Sequence, residues 1–123
     1  MTILMHVENE SGEILSTDAK GNINLYAPFD FELYPYRMPL EINTKVKIKK
    51  INRYTLQAFG TELLARKYLV TIPSGISFPD FDKDIIIPLM NFGDSLVKIK
   101  KGVVIAQLRA QLIVDVNIKN KGE

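Results

Sequence analysis

The sequence predicts an all-β domain, a sandwich or barrel of short strands that carries one short helix. Two observations carry that prediction. Apolar and polar residues alternate with a period of two over several stretches, the mark of strands with one buried face. Turn residues separate those stretches about every ten residues, the spacing of sandwich and barrel strands. One segment departs from the rhythm and has the composition of a helix.

Ile23, Leu25 and Ala27 alternate with Asn22, Asn24 and Tyr26, which predicts a strand. Thr44, Val46 and Ile48 alternate with Lys45, Lys47 and Lys49 and predict another. Gly60 to Lys67 then brings good helix formers, with Thr61 placed to cap, Glu62 early, and Arg66 and Lys67 late. That order of charges suits the helix dipole. Ile85-Ile86-Ile87 and Val103-Val104-Ile105 are short continuous apolar runs, the pattern of strands buried on both faces. Leu112, Val114, Val116 and Ile118 share one side of a last predicted strand. Lys20-Gly21-Asn22, Ala27-Pro28, Pro73-Ser74-Gly75, Asn91-Phe92-Gly93-Asp94 and Lys101-Gly102 supply the turns. The chain is expected to form one domain over residues 1–118, with a polar tail over 119–123.

Composition removes most familiar chemistries. The absence of cysteine excludes disulfides, thiol nucleophiles and cysteine metal sites. A single histidine, His6, argues against multi-histidine zinc sites and a Ser-His-Asp triad, and reads as a strand residue. Nothing in the residues calls for a cofactor or a metal. A net charge of +2 gives no global basic field, so nucleic acid is not an expected partner. No apolar run approaches the roughly 18 residues of a membrane span, so no membrane association is expected. The start, MTILMHVENE, lacks the basic head and long apolar stretch of a secretory signal, and an intracellular, cytoplasmic protein is expected.

Several polar clusters have two readings. Lys45, Lys47, Lys49, Lys50 and Arg53 form either a solvated strand face or an anion-binding surface, with only Tyr54 beside them. Asp80, Asp82 and Asp84 have the spacing of a calcium loop. Such a loop needs glycine at its sixth position and glutamate at its twelfth, where Ile85 and Asn91 stand, so a solvated hairpin face is expected. Tyr34-Pro35-Tyr36-Arg37-Met38-Pro39 is a rigid loop that either packs over the strands or offers a binding surface. Asn91 and Gly93 read as turn residues, with a ligand role as the alternative.

Four segments together resemble the trimeric dUTPases. Asn91-Phe92-Gly93, Ile99 and Gly102-Val103-Val104-Ile105-Ala106-Gln107-Leu108 are similar to the family's fourth motif, N-x-G followed by G-x-R-I-A-Q-L/M. Pro73-Ser74-Gly75-Ile76 to Ile85 resembles the third-motif hairpin, and Gly21 to Ala27 the first motif, A-G-x-D-L-Y/R-A. Thr61-Glu62-Leu63-Leu64 corresponds loosely to the second motif, R-S-S/G-L. The resemblance runs from about residue 12 to residue 118. It implies a jelly-roll-like β-barrel with one short helix.

The departures from the family pattern imply lost chemistry. Phe78 stands where the family's aspartate activates the attacking water, and a phenyl ring accepts no proton. Phe81 replaces the tyrosine that packs under deoxyribose. Asn24 replaces an aspartate near the metal, and Val104 a phosphate-side arginine. Glu62 sets a carboxylate where the family's second motif holds phosphates. The glycine-rich fifth motif has no counterpart. The resemblance therefore implies no catalytic residue. Gly75, Ile76, Phe78, Phe81, Asn24 and Gln107 remain as candidate ligand contacts, with Thr61 and Glu62 as the remnant of a phosphate site; for Gln107 an interface amide is the other reading.

The expected function is that of a non-catalytic binding protein, which captures a nucleotide-like ligand or engages a host protein. An active nucleotide diphosphatase with relocated catalytic groups and a structural assembly subunit are the other readings. Chains that strip catalysis from this fold resemble dUTPase-derived proteins of DNA viruses and phages, which implies such an origin, and a nuclear location for a eukaryotic virus. Both faces of Ile85-Ile86-Ile87 and of Val103 to Ala106 are apolar, so the outward set needs cover. In the family these strands line a threefold axis. A homotrimer is expected, with Val103, Val104, Ile105, Ala106 and Leu108 at the subunit contact.

Overall fold

The computed structural model describes residues 3–35, 38–73, 76–78 and 82–122, with residues 76–78 as a backbone path only. Within them, ten strands and one helix follow in the order Val7–Asn9 (β1), Ile23–Tyr26 (β2), Phe31–Leu33 (β3), Leu40–Ile48 (β4), Tyr54–Phe59 (β5), Glu62–Tyr68 (α1), Val70–Thr71 (β6), Ile76–Phe78 (β7), Asp84–Asn91 (β8), Val97–Ile99 (β9) and Val104–Leu112 (β10). Two four-stranded sheets, ordered β1-β4-β8-β6 and β2-β10-β5-β7, carry the fold, and β3 pairs with β9 beside them. Each of these strand pairs is antiparallel.

The period-two stretches turn as the alternation requires. Thr44, Val46 and Ile48 point into the core while Lys45 is exposed and Lys47 half-buried. Ile23, Leu25 and Ala27 do the same on the opposite sheet. Leu56, Ala58, Ile85, Ile87, Leu89, Ile105 and Leu108 fill the space between the sheets. A β-bulge interrupts β4 between Asn43 and Lys47, with Lys45 at φ 60°. There the buried Thr44 hydroxyl donates to the Ile85 carbonyl at 2.8 Å, so the disturbed ladder leaves that hydroxyl paired.

Four expectations need correction. Ile85-Ile86-Ile87 is buried on one face only: Ile86 is 42% exposed, because β8 lies on the surface of the sandwich rather than between two layers. Val103 and Val104 are half-buried, so that run is not buried on both faces either. The consecutive burial of Ile105 and Ala106 has another cause, a register shift between Val104 and Ala106 against β2. Ile105, Ala106 and Leu108 therefore spend their side chains on the chain's own core, and of the expected contact set only Val103 and Val104 keep surface to offer a neighbour. Last, the strand expected over Leu112 to Ile118 does not form. β10 ends at Leu112, and residues 113–118 leave the sheet with exposed side chains.

The helix runs one residue later at its end than its composition suggests. Thr61 caps it, its hydroxyl accepting the Leu64 N–H at 3.3 Å. Leu69 closes it in the left-handed conformation, φ 56° and ψ 34°, and its N–H reaches the Ala65 carbonyl at 3.1 Å. Leu64 is the helix's buried residue and pins it to the sandwich. In the loop after β3, Tyr34 is half exposed and Met38 projects into solvent, so these side chains do not close over the barrel; Tyr36 and Arg37 lie outside the described residues.

Candidate functional site

The register of β2 against β10 sets the floor of a cleft. Gln107 pairs directly with Asn24, and in an antiparallel sheet such partners share a face. The Gln107 Nε2 donates to Asn24 Oδ1 at 2.9 Å and, more weakly, to Asp18 Oδ2 at 3.4 Å. Two residues along the same face, Arg109 Nε donates to Asn22 Oδ1 at 3.0 Å. Its guanidinium carbon stands 5.8 Å from the centre of the Phe59 ring, a cation–π contact at the rim.

One wall is the turn before β2. Asp18 Oδ1 accepts the backbone N–H of Lys20 at 2.8 Å and of Asn22 at 2.9 Å, and Oδ2 accepts from the Asn22 amide at 3.3 Å. The Asn22 N–H, foremost among these donors, holds the Asp18 carboxyl below its ordinary range. The opposite wall is the first turn of α1, with Thr61, Glu62 and Leu63. Val104 completes the floor. The cleft between these walls measures about 470 Å³.

Its chemistry is that of amides and carboxylates. Asp18 and Glu62 face a single lysine, Lys20, among the lining residues, so the lining carries a net negative charge. The Thr61 hydroxyl is engaged in capping, and Glu62 pairs with Arg66 at 2.9 Å on the solvent side. Among the described residues no group of three or more histidine or acidic side chains gathers to hold a metal. Asn24 offers an amide oxygen already taken by Gln107, so these residues do not fit a divalent ion.

The structure brings Asn24, Gln107, Thr61, Glu62 and Val104 of the expected set together in this one cleft. Ile76 and Phe78 lie elsewhere, on β7, where they pair with Ala58 and Leu56 at the far edge of the sheet. Two strand spacings, about 10 Å, separate β7 from β10. Gly75, Phe81 and Asp80 lie outside the described residues. Sequence reading misses Asp18, Lys20, Leu63 and Arg109. The signal for Asp18 was present, since aspartate followed by Lys20-Gly21-Asn22 is turn chemistry in which a carboxylate accepts backbone N–H groups.

The other polar clusters have structural roles. Lys49 binds Glu8 at 2.8 Å and Asp82 at 3.3 Å, and Lys47 lies 3.9 Å from Asp84. The lysine stripe of β4 is thus partly neutralised by acids of its neighbours, and Asp82 and Asp84 face lysines. Asn91 is buried and fully engaged: it donates to the Leu33 and Ser95 carbonyls at 3.0 and 2.8 Å and accepts the Gly93 N–H at 2.9 Å.

Residues 15–122 match the family model described as dUTPase. No curated protein matches the chain. Among solved structures, a mutant dUTPase of Staphylococcus bacteriophage 80alpha with dUpNHpp aligns at a TM-score of 0.80 and 16% identity, over 99% of this chain and 98% of that one. Another mutant of the same phage enzyme aligns at 0.82 and 15%, over 99% and 98%. A mutant dUTPase from phage phi11 of S. aureus, described for the coordination of a structural Mg(II) ion, aligns at 0.79 and 14%, over 98% of each chain. At these identities the likeness is one of fold.

Proposed function

This chain belongs to the dUTPase family, and from that membership we propose that it is a non-catalytic, phage- or virus-type member that works by binding. The observation that carries this reading is the charge of the cleft. Where the family resemblance implies an arginine and open phosphate-holding groups, this chain sets Val104, Glu62 and an ionised Asp18 against one lysine. A triphosphate entering there meets the Asp18 carboxylate and, at the helix start, that of Glu62, whose charge Arg66 partly offsets from the solvent side. The family's water-activating aspartate corresponds to Phe78, which has no proton acceptor. Asp82, the nearest described acid along the chain, pairs with Lys49 at 3.3 Å.

Binding by this cleft suits a nucleotide-like ligand of low negative charge or a protein surface, inside the cell. The 80alpha dUTPases are described as controlling transfer of virulence genes by a proto-oncogenic G protein-like mechanism. We extend to this chain the engagement that such control requires, not the hydrolysis, and we assign it the homotrimeric assembly that the family resemblance implies.

The deciding experiment is pyrophosphate release from dUTP with magnesium, paired with thermal shift against dUTP, dUpNHpp, dUMP and deoxyuridine. We expect no release above background. A ligand at a hundredfold excess over Kd adds about 2.7 kcal/mol to stability, a shift easily resolved. The less charged compounds should give the larger shifts, and Glu62→Gln should raise dUpNHpp affinity severalfold. Release of pyrophosphate that Glu62→Gln accelerates would instead establish a working hydrolase. A flat response to all four compounds would point to the protein partner alone.

A further inference from the structure

Four N–H donors converge on the Asp18 carboxylate. The backbone N–H groups of Lys20 and Asn22 reach Oδ1 at 2.8 and 2.9 Å, and the side-chain amides of Asn22 and Gln107 reach Oδ2 at 3.3 and 3.4 Å. The first two bonds are those of an ordinary aspartate turn, but such a turn does not call for the two amides. They are aimed by partners of their own. Arg109 Nε donates to Asn22 Oδ1 at 3.0 Å, which leaves the Asn22 amino group turned toward Asp18. Gln107 Nε2 also donates to Asn24 Oδ1 at 2.9 Å, so its amino group lies between Asn24 and Asp18. Asn22 is 7% exposed, and this donor is therefore held rather than free to turn in solvent.

Backbone N–H groups of a tight turn, joined by fixed amide donors, make a cradle of the kind that holds small oxyanions. Lys20 brings a cation to the same cleft wall. Between the two backbone donors stands Gly21, at φ 80° with nothing within 4 Å of the place a Cβ would take, so the approach to the turn is open.

We propose that Asp18 is an internal plug: its carboxylate occupies a four-donor anion cradle in the cleft wall and thereby sets the cleft's preference for uncharged over phosphorylated ligands. A carboxylate carried by the chain meets these donors without the ordering cost of a free ligand. A phosphate must displace it and then sit beside its charge. With the side chain removed, the same donors and Lys20 face the space that the carboxylate filled. This assignment rests on the cleft being the binding site proposed above, and it adds the residue that decides what the site refuses.

The test measures binding of inorganic phosphate, by calorimetry and thermal shift, to the parent chain and to Asp18→Ala, Asp18→Ser and Asp18→Asn. Alanine empties the cradle. Serine empties it too, while its hydroxyl can still accept a turn N–H and so guards against a variant that fails to fold. Asparagine removes the charge but leaves an amide in the cradle. Phosphate should bind the alanine and serine variants roughly tenfold or more tighter than the parent, the worth of about one charge-assisted hydrogen bond. Asparagine should gain no more than about threefold, the effect of an exposed charge alone. A variant weakened by loss of the turn bonds should regain stability in phosphate and not in chloride of equal ionic strength. No gain in either the alanine or the serine variant would overturn the plug, and so would a gain from asparagine as large as theirs. Deoxyuridine, measured on the same proteins, judges the cleft separately: phosphate gained without any response to deoxyuridine would keep the plug and refute the nucleotide-like ligand.

Discussion

Replacing Asn91 by alanine should destabilise the fold by about 3–5 kcal/mol and leave the cleft's ligand preference unchanged. The side chain is 1% exposed and makes three hydrogen bonds that join β3, β8 and the turn after β8. Alanine strips partners from two carbonyls and one N–H. The bond to the Leu33 carbonyl is buried, so its loss carries the full penalty of roughly 1–3 kcal/mol. Ser95 is exposed and Gly93 half-buried, so their groups regain water and each loses the net value of a bond, about 1 kcal/mol. At this chain length 1 kcal/mol moves Tm by about 4 °C, which makes the expected drop about 12–20 °C. Thermal and urea melts followed by circular dichroism measure it. Asn91→Asp should do at least as badly, since a carboxylate can accept from Gly93 but turns its other oxygen on two carbonyls. A variant that melts within about 3 °C of the parent, yet no longer responds to ligand, would refute the assignment of Asn91 to the fold.

Three further outcomes follow from the same contacts. Gly60→Ala should cost about 1–3 kcal/mol, because a Cβ there runs into Thr71 Oγ1 next to the helix cap; the check is a urea midpoint, and an unchanged midpoint would show that the α1 entry yields. Leu69→Gly should stabilise by about 0.5–1 kcal/mol, since glycine relieves a left-handed leucine at the helix end; a loss greater than about 1 kcal/mol would mean that the Leu69 side chain packs more than its exposure indicates. Finally, Lys49 holds the Glu8 carboxyl below its ordinary range through a hydrogen bond and its charge. A carboxylate with a lower pKa folded than unfolded adds stability above the unfolded value, lost as pH falls through the folded one. Stability should therefore decline below about pH 4, and Glu8→Gln should flatten that limb; identical acid limbs in the two proteins would remove the pair from the account.

The strands and helix were legible because alternation and capping are local. Thr44, Val46 and Ile48 declare their buried face within a few residues, and Thr61 declares the helix start. The two-faced reading of Ile85-Ile86-Ile87 failed because an apolar run looks the same whether its outer side meets protein or solvent. Ile105 and Ala106 misled for a different reason: a bulge against β2 turned two neighbours inward, and bulges leave no periodic signal. The cleft was half legible. Asn24, Gln107, Glu62 and Val104 could be placed by motif and Asp18 by its turn chemistry, but contacts between segments far apart in the chain are what bring Asp18 and Arg109 to β2 and β10 together.

The changes in the cleft are consistent with one another in a way that single losses would not be. The resemblance sets an aspartate at position 24 and an arginine at position 104, a pair of opposite charges on adjacent strands. This chain has neither. Had only the arginine gone, a carboxylate at 24 would stand beside Asp18 with no nearby cation but Lys20. Had only the aspartate gone, the arginine would still attract phosphate. With both replaced, Asn24 accepts the Gln107 amide without adding a charge, and Val104 lines the cleft together with the apolar Leu63. The floor is thereby neutral and internally bonded, and the remaining charges, Asp18, Lys20 and Glu62, sit on the walls. Such a cleft keeps its shape without a bound anion, where a cluster of phosphate-holding cations would repel itself when empty. The same argument gives the cleanest reversal. The double change Asn24→Asp with Val104→Arg should be tolerated better than Asn24→Asp alone, which sets a second carboxylate beside Asp18 with only Lys20 among the lining residues to balance the two. Urea midpoints of the parent, the two single variants and the double variant close a cycle that isolates the coupling between the two sites. A favourable coupling is expected, and strictly additive losses would show that the two replacements are independent of each other.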